Sequence, residues 1–158
     1  MRIRWKDFEL PSGVECDTEK LTSTYGLFWI EPFERGFGTT MGHSLRRILL
    51  SSIQGAAVTA VRTEGVRCEF ENISGVVQDM SEIVMNLKGL YLRLESDQPL
   101  KLKLQKKGPG DVKASDIVPH QDVTIMNPDL VICSLADEKH FEMELEVRTG
   151  RGFYPAER

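Results

Sequence analysis

Residues 80–105, MSEIVMNLKGLYLRLESDQPLKLKLQ, change periodicity halfway along. Met80, Ile83, Val84 and Leu87, with Val76 one turn upstream, recur at three- and four-residue steps, the spacing of a helix with one apolar side. Asp79, followed three residues later by Glu82, resembles a capping box with Asp in the cap, and Gly89 suits a C-terminal stop. From Leu90 the period is two. LYLRLE (90–95) and LKLKLQ (100–105) alternate around Ser96-Asp97-Gln98-Pro99, which reads as a hairpin with one wet face. KKGPGD (106–111) reads as a loop. DVTIM, DLVICSL and FEMELEV (141–147) give three further short strands, the last alternating strictly at Phe141, Met143, Leu145 and Val147. GRGFYPAER (150–158) reads as a loop-like tail. The class is α+β with mostly antiparallel sheet.

Upstream, GAAVTAVRTEGVRCEFENISG (55–75) reads as two strands around Glu64-Gly65. Before it stands FGTTMGHSLRRILLSS (37–52), the strongest helix signal in the chain and about 24 Å long at the helical rise. Phe37, Met41, Leu45, Ile48, Leu49 and Ser52 share one face, and Thr39 or Thr40 can cap its start. Gly42 weakens it slightly, because glycine costs about 1 kcal/mol against alanine inside a helix. Arg46 and Arg47 point away from the Leu45/Ile48/Leu49 face, so apolar packing and basic display are separated on one element. A strand candidate, YGLFWIEPF (25–33), precedes it and ends in the turn-prone ERGFG. The stretch up to Ser23 is polar and irregular. One strand cannot cover such a helix, so its apolar stripe needs cover from residues 53–158, from further sequence or from another chain.

The 158 residues are 41% hydrophobic and 28% charged, with 20 Lys and Arg against 24 Asp and Glu, a formal charge of −4. That composition excludes disorder for the bulk of the chain and argues against DNA binding by charge alone. No segment approaches the roughly 18 consecutive apolar residues a membrane crossing needs. MRIRWKDFELPSG lacks the apolar stretch of a secretory signal. Cys16, Cys68 and Cys133 are odd in number and far apart, which reads as three reduced, mostly buried thiols in a cytoplasmic protein.

Catalytic chemistry is hard to locate. Gly36-Phe37-Gly38-Thr39-Thr40-Met41-Gly42 follows a strand and opens a helix, as a dinucleotide-binding turn would, but its spacing is G-x-G-x-x-x-G and the downstream signals are antiparallel. His43 and Ser44 are helix neighbours about 100° apart, a poor geometry for a base and nucleophile. His120, His140 and the cysteines show no metal-ligand spacing. Glu142, Glu144 and Glu146 alternate along one strand and belong to a solvated face. The residues point to no catalytic, metal or cofactor site.

EPFERGFGTTMGHSLRRILLSSIQGAAVTAV (31–61) strongly resembles the N-terminal domain of the bacterial-type RNA polymerase alpha subunit. The likeness continues through EGVRCEFENISGVVQDMSEIVMNLKGL, GPGDVKASDI, NPDLVICSL and GRGFYPA, in the family's order. The resemblance implies residues 1–54 as the N-terminal part of a dimerisation subdomain and 55–158 as an α+β insert subdomain. It implies a helix at 37–52 that meets a second alpha subunit through Phe37, Met41, Leu45, Ile48, Leu49 and Ser52. Arg47 first, Arg46 second, and Glu82 and Lys88 on the insert match positions that meet the large beta and beta-prime subunits. DNA is then reached only through the complex, and nucleotidyl transfer belongs to the large subunits. Met41, His43 and Ser44 depart from the family's commoner residues. By the family's pattern the insert and a return segment continue past Arg158, so the chain is expected to be truncated. Two rivals follow from the residues alone: a small α+β enzyme binding a phosphate-containing ligand at the Gly36–Gly42 turn, and a binding module that pairs through a strand edge.

Overall fold

A computed structural model describes residues 9–153 and Pro155. They divide into two compact units at Ser52/Ile53. The first contains a two-residue strand, β1 (Glu15–Cys16), paired antiparallel with β2 (Phe28–Trp29), and then the helix α1 (Phe37–Ser51). The strand expected over 25–33 is therefore only two residues long. Gly36 caps α1 from the left-handed region at φ 85°, with no side-chain hydrogen bond. Thr39 and Thr40 lie inside the helix and cannot cap it, because the cap is Gly36, three residues before Thr39. The helix closes with the Ser52 N–H on the Ile48 carbonyl at 2.9 Å.

The second unit is built on a five-stranded sheet of order β5-β9-β3-β4-β7. Its strands are β3 (Gln54–Thr63), β4 (Leu92–Leu94), β5 (Leu100–Lys107), β7 (Val123–Ile125) and β9 (His140–Arg151). Every pairing among them is antiparallel. A separate two-stranded sheet joins β6 (Gly110–Lys113) to β8 (Val131–Leu135), and α2 (Met80–Lys88) packs against β8 and β3.

Alternation places Phe141, Met143, Leu145 and Val147 of β9 in the core, as the period-two reading requires. Leu102 and Leu104 of β5, Ile132 of β8 and Met80, Ile83 and Leu87 of α2 meet them there. Burying each such side chain contributes about 1.5–3 kcal/mol relative to leaving it in water. Asp79 caps α2, accepting the Glu82 N–H at 2.7 Å, and Gly89 closes the helix in a right-handed conformation. Asn127 adds a second fastening: its Oδ1 accepts the Tyr91 N–H and its Nδ2 donates to the Gly89 carbonyl, both at 2.8 Å.

Several local expectations differ from the structure. β4 and β5 do not form a hairpin, since β9 and β3 stand between them in the sheet. Only the first of two strands expected in 55–75 exists; after the Gly65 turn the chain runs irregularly to Asp79, touching Leu135 through a single bridge at Val76. Val76 therefore precedes α2 rather than joining it. Lys106 and Lys107 belong to β5, and Gly150 and Arg151 to β9, so the expected loop and tail are partly strand. Tyr154 and residues 156–158 of that tail lie outside the described residues. Of the three free thiols only Cys133 is buried, which pushes it up to about 11, whereas Cys68 is exposed.

Candidate functional site

Fifteen residues of α1 contain no buried side chain. Phe37 and Met41 are half-buried, and the Phe33 and Phe37 rings meet at 5.9 Å between centroids. Further along the same face Leu45, Ile48 and Leu49 are exposed, Leu49 by 60%. Ser52 sits at the C-terminal cap. The apolar stripe expected from the sequence is thus presented to solvent along Leu45, Ile48 and Leu49.

Arg46 and Arg47 are also exposed, and α1 carries no acidic residue to offset them. On a helix of 3.6 residues per turn they stand more than 100° from the centre of the apolar stripe. Sequence reading missed a companion: Leu50, 69% exposed, lies four residues after Arg46 and three after Arg47. Positions at those steps are surface neighbours, so the basic side carries an aliphatic centre. The signal was available in LRRILL, where the fourth aliphatic, Leu50, falls between the arginines on the helical wheel. Ser44 and Ser51 turn their hydroxyls inward to the Thr40 and Arg47 carbonyls at 2.9 and 2.7 Å.

In the second unit, Glu82 and Lys88 are exposed on α2. They lie six residues apart, so they share a row only through Met85, three residues from each. Asn86, four residues after Glu82, ties α2 to β8 by donating from Nδ2 to the Ile132 carbonyl at 2.9 Å, and Gln78 Oε1, just before the helix, accepts the Ser134 N–H at 2.7 Å.

Charge elsewhere serves the sheet. Lys101 reaches Glu144 at 2.8 Å and Lys103 reaches Glu142 at 3.4 Å across the β5–β9 ladder. The Lys101 hydrogen bond holds the Glu144 carboxyl below its ordinary range. Lys106 binds Asp116 at 2.8 Å. Burial alone would raise that carboxyl, but hydrogen bonds from Lys106 and the Lys113 N–H, with both lysine charges, bring it below the usual value.

An open hollow of about 410 Å³ is bordered by Thr63, Gly65, Ser74, Lys139, His140 and Glu142. Its polar groups are already engaged: His140 Nε2 lies 3.7 Å from Glu142, and Lys139 Nζ donates to the Ser74 carbonyl at 3.0 Å. Among the described residues no three His, Cys, Asp or Glu side chains converge as a metal site would require, and no helix is long and apolar enough to cross a membrane. The Gly36–Gly42 turn follows an antiparallel strand pair, not the parallel strands of a dinucleotide fold.

Residues 59–158 match the family described as the RNA polymerase Rpb3/RpoA insert domain. The chain is 46% identical, over all of its length and 46% of the relative's, to DNA-directed RNA polymerase subunit alpha of Geobacter metallireducens. It is 46% identical over 156 residues to the same subunit of Rhodopirellula baltica, covering 99% of the chain and 47% of the relative. With the subunit of Carboxydothermus hydrogenoformans the identity is 49% over 144 residues, covering 91% and 46%. The chain spans about half the length of these curated relatives.

Proposed function

Since the chain belongs to the RNA polymerase Rpb3/RpoA insert domain family, we propose that it acts as the assembly part of a cytoplasmic DNA-directed RNA polymerase, a non-catalytic alpha-type subunit. The observation that carries this reading is α1: a helix with two solvent-facing sides of different chemistry and no buried residue. Its apolar side, Phe37, Met41, Leu45, Ile48, Leu49 and Ser52, pairs with a second alpha subunit. Its basic side, Arg47 and Arg46 around Leu50, docks a large subunit of the beta or beta-prime kind. The insert, taken as residues 55–158 beside a dimerisation part at 1–54, adds Glu82 and Lys88 to the large-subunit contacts. Nucleotidyl transfer and contact with DNA belong to the assembled complex.

The physical logic is separation of tasks. Aliphatic burial between like copies supplies affinity without regard to charge, whereas exposed cations steer and select an acidic partner. The experiment is capture of the large subunits by the tagged full-length subunit carrying this chain. Arg47→Ala should cut capture about tenfold while leaving the melting temperature within about 1 °C, because the guanidinium has no side-chain partner among the described residues. A wild-type subunit that captures neither large subunit overturns the reading. The rival nucleotide-binding reading predicts instead a stabilisation of about 2.7 kcal/mol at a nucleotide concentration a hundred times the dissociation constant.

A further inference from the structure

Two large apolar side chains stand in water beside the acidic start of α2, and neither belongs to the core. Phe70 is 80% exposed and Met85 is 64% exposed. The irregular segment carrying Phe70 is tied to the first turn of α2 on both sides of that residue. The Ser81 hydroxyl donates to the Glu69 carbonyl at 2.7 Å, and the Met80 N–H donates to the Glu71 carbonyl at 3.3 Å. Ser81 and Met85 are four residues apart, hence stacked on one side of the helix. Phe70 is therefore held at the head of the row on which Met85 lies.

Charge is graded along the same surface. Glu69 and Glu82 stand at the Phe70 end and Lys88 at the far end, with Met85 between Glu82 and Lys88 at three-residue steps. The Glu71 carboxylate accepts the Arg67 N–H at 2.7 Å, and Asp79 is occupied as the cap. The surface is an apolar pair bracketed by acid at one end and a single cation at the other.

We propose that Phe70 and Met85 are the apolar anchors of this docking surface, and that its occupant is a large-subunit surface offering an apolar socket, cationic toward Glu69 and Glu82 and acidic toward Lys88. The proposal rests on the reading of Glu82 and Lys88 as large-subunit contacts and names the residues that give that contact its affinity. Interfaces concentrate binding energy in a few central side chains ringed by polar ones, and methionine and aromatics are enriched there. The outward charges set register and approach.

The test uses the full-length subunit and its own large subunits in a capture assay. Met85→Glu and Phe70→Ala should each lower capture about tenfold, Met85→Leu should keep it, and Glu82→Lys should lower it more at low salt than at high. The Met85 and Phe70 variants should melt with the wild type, since these side chains are exposed, and Glu82→Lys slightly below it, since a base in the first turn of α2 opposes the helix dipole. Should the glutamate variant fail to fold, Met85→Gln repeats the test without the added charge. Normal capture by Met85→Glu and Phe70→Ala, with Arg47→Ala still defective, overturns the anchors and leaves the proposed function standing. Loss of self-association in place of large-subunit capture overturns the choice of occupant. Absence of capture by the wild type overturns both.

Discussion

α1 and α2 are both amphipathic helices, yet α1 buries none of its fifteen residues whereas the nine of α2 bury Met80, Ile83 and Leu87. The shorter helix is the better fastened one. It has a side-chain cap, an acid in its first turn and a base in its last, both favourable to the helix dipole. α1 has a glycine cap and neither charge. Periodicity thus identifies an apolar stripe without saying whether its cover lies within the chain. The stripe of α2 is covered by its own unit, whereas that of α1 is left exposed.

Stability measurements can break this contrast. The largest effect is expected in the second unit's core: Ile83→Ala should cost about 2–5 kcal/mol in denaturant unfolding, because the site is fully buried among packed neighbours. Asp116→Asn should cost about 1–2 kcal/mol at pH 7 by weakening the charged bonds to Lys106 and Lys113. The native carboxyl sits below its ordinary value, so its contribution is present above about pH 4 and fades as pH falls through the lowered pKa. The two unfolding curves should therefore converge in acid. Asp79→Ala should cost about 1 kcal/mol through the lost cap. Smallest of all, Ile48→Ala on α1 should cost under about 0.5 kcal/mol while weakening self-association in sedimentation. A cost for Ile48→Ala as large as that for Ile83→Ala would erase the distinction between the helices.

Sequence carried the parts of the fold that are local. The Asp79 cap, the inward Met80, Ile83 and Leu87, and the alternation of β9 depend on neighbours within a few residues. The hairpin expected at 90–105 failed for the opposite reason: alternation shows that Leu92 and Leu102 face a core, but nothing in it names the partner strand. β4 pairs with β3 and β7, and β5 with β9, through contacts that span much of the chain. The candidate site divides similarly. Arg46, Arg47, Glu82 and Lys88 are exposed where helical geometry puts them, while Phe70 fell in a stretch read as a strand. Its position depends on two hydrogen bonds to α2 that no periodicity encodes.

β9 stands between β5 and β3, and Thr59 donates to the Glu146 carbonyl across a separation of 87 residues. During vectorial synthesis at about 5–20 residues per second, β3 then leaves the ribosome seconds before the strand that completes it. α1, closed by its own short-range bonds, can form while the sheet still waits. The first unit is thus able to take shape before the sheet of the second is complete.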